Sequence, residues 1–560
     1  MLEKFDILCY TEFGNHVERE VFMAKFKFDT FGVMIDCSRN AVMSVSGLKR
    51  YLLVLKKMGY NCVMLYTEDT YEVDGEPYFG YMRGRYSKEE LKEIDAFATS
   101  HGISVIPCIQ TLAHLKTTFR WNQVPVDCGD ILLVDDERTY ELIDRMFSTL
   151  SECFSSRKIH IGMDEAHMLG RGKHMDIHGY ESVNSIMKRH LGRICEIAKK
   201  YGYEPMMWSD MFFRPWNNGA YGIPKAVVPQ EYIDALPQEV IPVYWDYYCL
   251  KESGYSEMME NHAQLSKKTW FAGGAWSWMG FAPFNEFTLK TMIPALNACK
   301  KNKIRNVFMT MWGDNGNECS FFSLLPSLFY ISQYAKGITD ETVIKTKFKR
   351  IVGIDYDDFM KLDNPNNISG NEQDGFPKCP SKYMLYADCF NDFLDTTVTK
   401  GGSEKYAIYA SELHTIAKKS RKYGYLFDTQ AKLCDALALK YELGVKTRAA
   451  YEIGDKAELL RLAEVEYTRA IKLIDTFGRA FEKQWFYDNK ANGFDVQDIR
   501  IGGLIRRLTA CRRRLIEYAN GKIDRIEELE EALIPFSHNK PTGESISYNN
   551  YRSSATANVM

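Results

Sequence analysis

LKRYLLVLKKMGYNCVMLYTED, residues 48–69, holds the unit from which the fold can be read. Leu48, Leu52, Leu55 and Met58 recur at helical spacing, Gly59 follows, and the apolar run NCVMLY then ends in Thr67, Glu68 and Asp69. One apolar stripe predicts an amphipathic helix, glycine suits the left-handed residue that ends it, and the short apolar run predicts a strand. The unit recurs. Ser87 and Glu90 have capping-box spacing before Leu91, Ile94 and Ala98, and Gly102 then leads into ISVIPCIQ. SIMKRHLGRICEIAKKYG likewise precedes YEPMMWSD. Counting by this rule gives strands at FGVMID (31–36), NCVMLY (61–66), ISVIPC (103–108), KIHIGM (158–163), PMMW (205–208), IPVYW (241–245), WFAGGA (270–275) and RNVFMTMW (305–312). Eight strands alternating with helices predict an α/β fold, a (β/α)8 TIM barrel over residues 29–340. The rival, an open doubly wound sheet, would want a glycine-rich phosphate turn after the first strand, and none is there.

Beyond residue 340 the strand signals stop. Segments such as ELHTIAKKSRKYGYLFDTQAKLCDALALKYELGVKTRAAYEI predict an α-helical C-terminal domain over 341–535. Residues 1–28 are too few for a domain and read as the remnant or edge of one. The Ser-, Asn- and Thr-rich tail, 536–560, reads as disordered or as an extended arm. Within 485–508, WFYDNKANGFDVQDIRIGGLIRRL, the glycines suggest a loop that re-enters a helix at Asp498, with Trp485, Asp495 or Arg500 as candidates to reach the rim of a site or a dimer partner. A formal net charge of −3 on 560 residues gives no field to draw nucleic acid or an anionic membrane. The fourteen cysteines are scattered without a C-x-x-C pair, and the N-terminus lacks the basic-then-apolar pattern of a secretion signal, so the expected location is cytoplasmic.

In such barrels the chemistry sits at the C-terminal strand ends. There the sequence places Arg39 on strand one, Asp69 on strand two, His114 on strand three, Asp164 and Glu165 on strand four, and Trp208 on strand five. Strand six ends in Tyr244, Trp245, Asp246, Tyr247 and Tyr248, strand seven in Trp276, Ser277 and Trp278, and strand eight in Trp312, Gly313, Asp314 and Asn315. Carboxylates walled by aromatic rings describe a sugar pocket, because pyranose C–H faces pack on indole while hydroxyls need charged partners. Each element alone has a bland explanation. Aromatic residues fill the inner layers of large barrels, and one Asp-Glu pair among 74 acidic residues means little.

The segments MIDCSRN, NCVMLYTED, GISVIPCIQTLAHL, KIHIGMDEAH, MMWSDM and MTMWGDN together resemble glycoside hydrolase family 20, the β-N-acetylhexosaminidases, in the family's order. The likeness is nearest to the bacterial subgroup with a helical C-terminal region that accepts both β-GlcNAc and β-GalNAc. The resemblance implies Glu165 as general acid/base and Asp164 as the residue that orients and stabilises the substrate's 2-acetamido group. It implies Arg39 as a ligand of sugar hydroxyls and Trp208 and Trp312 as walls, and the strand-end positions of Trp276 and Asp246 make them further candidate substrate contacts. Asp314 stands where the family usually has a glutamate for the distal hydroxyls. His114 and Asp69 resemble a supporting pair, with Tyr244 and Trp245 in support. The family commonly carries Tyr-x-Asp on strand seven, whereas this chain has YWDYY on strand six, so Tyr247 is taken as the acetamido-binding tyrosine with Tyr244 in reserve.

An ordinary retaining glycosidase holds two carboxyl groups about 5–5.5 Å apart across the anomeric carbon, and an inverting one about 6.5–9.5 Å. Adjacent residues of one strand point to opposite sides, so Asp164 and Glu165 do not straddle a sugar in that way. A nucleophile carried by the substrate resolves the conflict, with Glu165 kept protonated by burial and Asp164 ionised. The expected partner is the terminal N-acetylhexosamine of a glycan, with no cofactor, no metal, no nucleic acid and no membrane, in a chain that could pair as a homodimer. Two rivals are weighed. His160, Asp164, His167 and His174 could form the metal cluster of a barrel amidohydrolase, although strand one lacks that class's H-x-H. A non-catalytic glycan-binding barrel would not require the intact Asp-Glu pair.

Overall fold

The computed structural model describes residues 26–368, 376–536 and 546–558. The N-terminal segment read at 1–28 therefore lies, up to residue 25, outside the described residues. The eight strands form one closed parallel barrel: β1 Thr30–Asp36, β2 Cys62–Tyr66, β3 Ser104–Cys108, β4 Lys158–His160, β5 Glu204–Trp208, β6 Ile241–Trp245, β7 Trp270–Gly274 and β8 Asn306–Met311. β1 closes the ring against β8, with Gly32 opposite Phe308 and Met34 opposite Thr310. Each matches a strand read from the sequence, within a few residues.

The strand period of two explains why these segments are apolar throughout. In β1, Val33 and Ile35 face the helical layer, whereas Met34 joins Met64, Ile106, Met206, Val243 and Phe308 in the barrel interior. Tyr66 and Trp208 sit on the same inward face at the C-terminal ends of their strands, so the top layer of the core is also the floor of whatever lies above it. The helices end as their sequences dictate. Gly59 adopts φ 98° and caps Val45–Met58, and Ser87 and Glu90 exchange both bonds of a capping box at Lys88–Ser100. Between β5 and β6 the helix shrinks to Gln230–Ile233; side-chain amides of Asn261 and Gln264 serve the irregular backbone at Ala226 and Val228 instead.

After the barrel, the elements among the described residues are all helical. Gly402–Lys419 and Gly424–Lys440 form a hairpin against Thr468–Asp488, followed by the long helix Phe494–Ala519. The segment 485–508 is thus one helix end, a turn and a new helix beginning four residues before Asp498. The turn docks on the barrel mouth, where Lys490 N–H donates to Val42 O at 2.8 Å. Residues 546–558 of the tail pack along the C-terminal face of the barrel, and 537–545 lie outside the described residues. The cysteines among the described residues are all free, and no helix there is long and apolar enough to cross a membrane.

Candidate active site

β4 stops at His160, and the chain beyond it leaves the extended conformation. Gly162, Met163 and Glu165 all have left-handed backbones, with φ of 72°, 70° and 52°. Side-chain alternation therefore does not carry through to residues 164 and 165, and both carboxyl groups turn to the same imidazole. His114 Nε2 lies 3.3 Å from Asp164 Oδ2 and 3.9 Å from Glu165 Oε2. His114 and Glu68 are themselves left-handed, at 60° and 42°. Such costly conformations gather where the surrounding structure fixes a functional geometry.

Gln110 holds this turn. Its Nε2 donates to Asp164 Oδ1 at 2.8 Å and to the Tyr66 hydroxyl at 3.0 Å, while its Oε1 accepts Met163 N–H at 3.2 Å. A Cβ on Gly162 would lie 2.0 Å from Gln110 Oε1. Gly162→Ala must therefore both strain the backbone and expel Gln110. We expect it to cost about 1–3 kcal/mol of stability, read as a lower melting temperature, and to depress turnover through Asp164. Unchanged melting and turnover would contradict the clamp.

Glu165 is fixed from the other side by strand five. Asp210, fully buried, accepts the Glu165 backbone N–H at 3.1 Å and Arg214 Nε at 2.9 Å, and Arg214 Nη2 reaches Glu165 Oε1 at 3.5 Å. Burial and then the charge of Asp164 push the Asp210 carboxyl up, with Arg214 opposing. At Asp164, burial pushes the carboxyl up, yet the charge and hydrogen bond of His114, with Gln110, prevail and hold it below the usual carboxylate range. For His114, burial works against the charged form, but Asp164 outweighs it and raises the imidazole to about 9. Both shifts favour the charged forms, an imidazolium facing a carboxylate at 3.3 Å. The Asp164 side chain is 14% exposed and that of Glu165 is 42%, so the burial expected to keep Glu165 protonated is not supplied by the protein alone.

Beside this pair, linked to it through Gln110, Arg39 Nε donates to Glu68 Oε1 at 3.1 Å, and the Tyr66 hydroxyl donates to the same oxygen at 3.0 Å. Asp36 Oδ2 accepts the N–H of Gly313 at 2.8 Å and fixes the loop that presents Asp314. Burial, partly offset by Arg39, pushes the Asp314 carboxyl up to about 6. Arg39, Tyr66 and Asp314, with His114, Asp164, Glu165 and the rings of Trp208, Trp245, Tyr247 and Trp312, line one cavity of about 370 Å³, within the small-ligand range.

Arg39, His114, Asp164, Glu165, Trp208, Trp245, Tyr247, Trp312 and Asp314 are thus brought together as the sequence reading expects. Four others are placed differently. Trp276, fully buried, stacks at 4.2 Å behind Trp278, which takes the wall position. Asp246 turns onto its own loop, accepting N–H groups of Tyr248 (2.8 Å) and Cys249 (3.1 Å) and the hydroxyl of buried Tyr244 (3.1 Å). Asp69 takes Arg83 at 3.1 Å and the hydroxyls of Thr117 and Thr118, so His114 pairs with Asp164 and not with Asp69. Tyr66, Tyr248, Trp278, Asn315, Asn549 and Asn550 also line the cavity, although the sequence reading, which has Tyr248, Trp278 and Asn315 at strand ends, assigns none of them to the site. The first three belong to or adjoin aromatic strand ends, whereas nothing local marks the last two.

The histidines weighed as metal ligands do not converge on Asp164. His160 is fully buried with its ring 4.4 Å from that of Trp208, and His167 is exposed. His174 lies instead near Asp135 (3.5 Å), whose carboxylate already receives Arg189 at 2.8 Å.

Comparison with known proteins places this geometry in a family setting. The model of the glycosyl hydrolase family 20 catalytic domain matches residues 49–228, and that of the Glycoside Hydrolase 20C C-terminal domain matches residues 357–547. The chain is 24% identical over 257 residues to Hexosaminidase D of Bos taurus, covering 44% of this chain and 69% of that protein. It is 23% identical over 342 residues to Hexosaminidase D of Homo sapiens, covering 56% and 68%. Among solved structures, a GH20 exo β-N-acetylglucosaminidase from Vibrio harveyi in complex with N-acetylglucosamine superposes with a TM-score of 0.46 at 15% identity, over 60% of this chain and 58% of that one. The chain thus spans less than two thirds of that neighbour's length.

Proposed function

The chain belongs to glycoside hydrolase family 20, and from that premise we propose that it is an exo-acting, retaining β-N-acetylhexosaminidase that removes terminal β-linked GlcNAc or GalNAc with the substrate's own acetamido group as nucleophile. One observation carries the reading. Asp164 and Glu165 leave the same turn toward the same histidine, so they stand on one side of the cavity and not across it. Two carboxyl groups so placed do not act as opposed nucleophile and acid. They suit a division of labour in which the ionised Asp164 accepts the acetamido N–H and Glu165 handles protons.

The carbonyl oxygen of the acetamido group attacks the anomeric carbon as the bond to the aglycone oxygen breaks, and Glu165 delivers its proton to that oxygen. Asp164, held ionised by His114 and Gln110, stabilises the positive charge that spreads over the oxazolinium ring. The Glu165 carboxylate then takes a proton from the water that attacks the anomeric carbon, and the ring reopens with configuration retained. A sugar in the cavity would cover the exposed Glu165 carboxyl and supply the shelter that a protonated acid needs. Arg39 and Asp314 are the groups for the distal hydroxyls, and Trp208 and Trp312, with rings 6.2 Å apart, form the apolar floor.

Hydrolysis of paired aryl β-GlcNAc, β-GalNAc and β-glucoside substrates tests this. The N-acetyl sugars are expected to be turned over, with the glucoside slower by more than about 10³-fold because it lacks the internal nucleophile. Comparable rates on the glucoside would remove the acetamido group from the mechanism.

A further inference from the structure

The last described segment of the chain, residues 546–558, returns to the mouth of the barrel and is tied there at several points. Cys379 N–H donates to Ile546 O at 3.4 Å and Asp388 N–H to Ala555 O at 3.0 Å, and the rings of Tyr386 and Tyr551 meet edge to face at 4.8 Å. Between these anchors, Asn549 Nδ2 donates to Trp278 O at 3.2 Å and Tyr551 N–H to Asn315 Oδ1 at 3.0 Å. Asn550 Oδ1 caps the short helix Tyr551–Ala555 by accepting Arg552 N–H at 3.0 Å.

Asn315 is the hub. Its carbonyl accepts Lys382 Nζ at 2.8 Å and Arg500 Nη1 at 3.0 Å, and both cations rest on the buried Glu318 carboxylate, at 2.9 Å and 3.1 Å. Lys382 is fully buried, and Arg500 also lies over the Tyr551 ring at 4.7 Å. Three separate pieces of the C-terminal region therefore converge on the residue next to Asp314. An ion cluster this dry is costly to build unless every member is satisfied, and here its members spend their hydrogen bonds on the backbone of the β8 loop.

Asn549 and Asn550 line the cavity beside Asp314 and Asn315. Among the described residues the side-chain atoms Asn549 Oδ1 and Asn550 Nδ2 take no hydrogen bond; the bonds of these side chains are made by Asn549 Nδ2 and Asn550 Oδ1. One acceptor and one donor on adjacent residues match a sugar hydroxyl, which both gives and takes a hydrogen bond. We propose that Asn549 and Asn550 are specificity residues of the sugar pocket, contacting hydroxyls of the terminal sugar on the Asp314 side, with Asn315 and its Lys382–Glu318–Arg500 support as positioning residues. The inference rests on the hexosaminidase reading and adds a wall supplied by the C-terminal tail.

The test compares Asn549→Ala and Asn550→Ser with wild type on aryl β-GlcNAc and β-GalNAc, reading kcat and KM separately; serine retains a capping oxygen at 550 but not the amide. Arg552→Ala, an exposed neighbour whose side chain is outside the cavity, is the control and should match wild type. In the two asparagine variants KM is expected to rise about three- to tenfold, with kcat and melting temperature nearly unchanged and the GlcNAc-to-GalNAc ratio of kcat/KM altered. Well-folded variants with unaltered KM and ratio would overturn the assignment while leaving the hexosaminidase reading intact, and a wild-type chain inert on both sugars would overturn both. Hydrogen exchange on the unaltered full chain gives a second check: saturating N-acetylglucosamine should slow exchange across 546–556, and no slowing there refutes the contact.

Discussion

Glu165→Gln is expected to lower turnover of substrates with poor leaving groups by about 10²–10⁴-fold, and to lower it much less on activated aryl glycosides. The amide keeps the size and polarity of the side chain but has no proton to give. An alcohol leaving group needs that proton as the glycosidic bond breaks, whereas a nitrophenolate departs without it. The geometry makes this a test of the side chain and not of the fold. The Glu165 backbone N–H is held by Asp210, and its Oε1 meets only the long 3.5 Å contact of Arg214, so the substitution leaves the turn intact. Because Glu165 must later deprotonate water, an activated substrate should also show an early burst as the second step becomes limiting. Equal losses on both substrate classes would exclude Glu165 as the acid.

Asp164→Asn should lower kcat by about 10²–10³-fold, with a smaller change in affinity for the product sugar. The carboxylate charge is what opposes the positive charge of the oxazolinium ring, and the neutral amide keeps the Gln110 contact without the charge. A second consequence is measurable without substrate. His114 is raised to about 9 against the pull of burial because Asp164 faces it. A raised imidazole contributes stability that is fully present below the unfolded histidine value of about 6.5 and is lost as pH rises through the folded value. Wild type should therefore lose stability from near neutrality to about pH 9, and in Asp164→Asn this slope should flatten as the His114 titration moves down. The matching contribution of Asp164, whose carboxyl is depressed, is present above about 3.9 and fades only as pH falls through its lowered value. A histidine titration unmoved by the substitution would show that the pair is not formed.

Much of this was legible in the residues because a parallel barrel repeats one physical requirement eight times. Each strand is covered on both faces, so each reads as an apolar run, and glycine or a capping box marks the helix before it. The aromatic and charged residues just past those runs were legible for the same reason, since strand ends point at one face. Directions beyond the strand ends were not. Periodicity put Asp164 and Glu165 on opposite sides, while three left-handed residues between Gly162 and Glu165 turn them the same way. Trp276 and Trp278 have the same spacing signal, and only packing decides that Trp278 faces the cavity. The pairing of His114 with Asp164, and the use of Asp69 by Arg83, depend on loops whose paths no local pattern encodes. The tail was least legible of all. Its polar composition suits an unfolded arm, and what holds it is a partner surface assembled from Lys382, Arg500 and Asn315, residues far from it in the chain.

The most direct measurement of the central claim is the dependence of kcat on the nucleophilicity of the substrate's own amide, using aryl glycosides of the 2-acetamido sugar and its mono-, di- and trifluoroacetamido analogues. Fluorine withdraws electrons from the carbonyl oxygen without altering the leaving group. If that oxygen attacks the anomeric carbon, log kcat falls steeply and regularly along the series. A flat series, with the fluorinated sugars turned over as fast as the parent, would mean that the nucleophile comes from the protein or from water, and the reading of Asp164 and Glu165 as stabiliser and acid would be wrong.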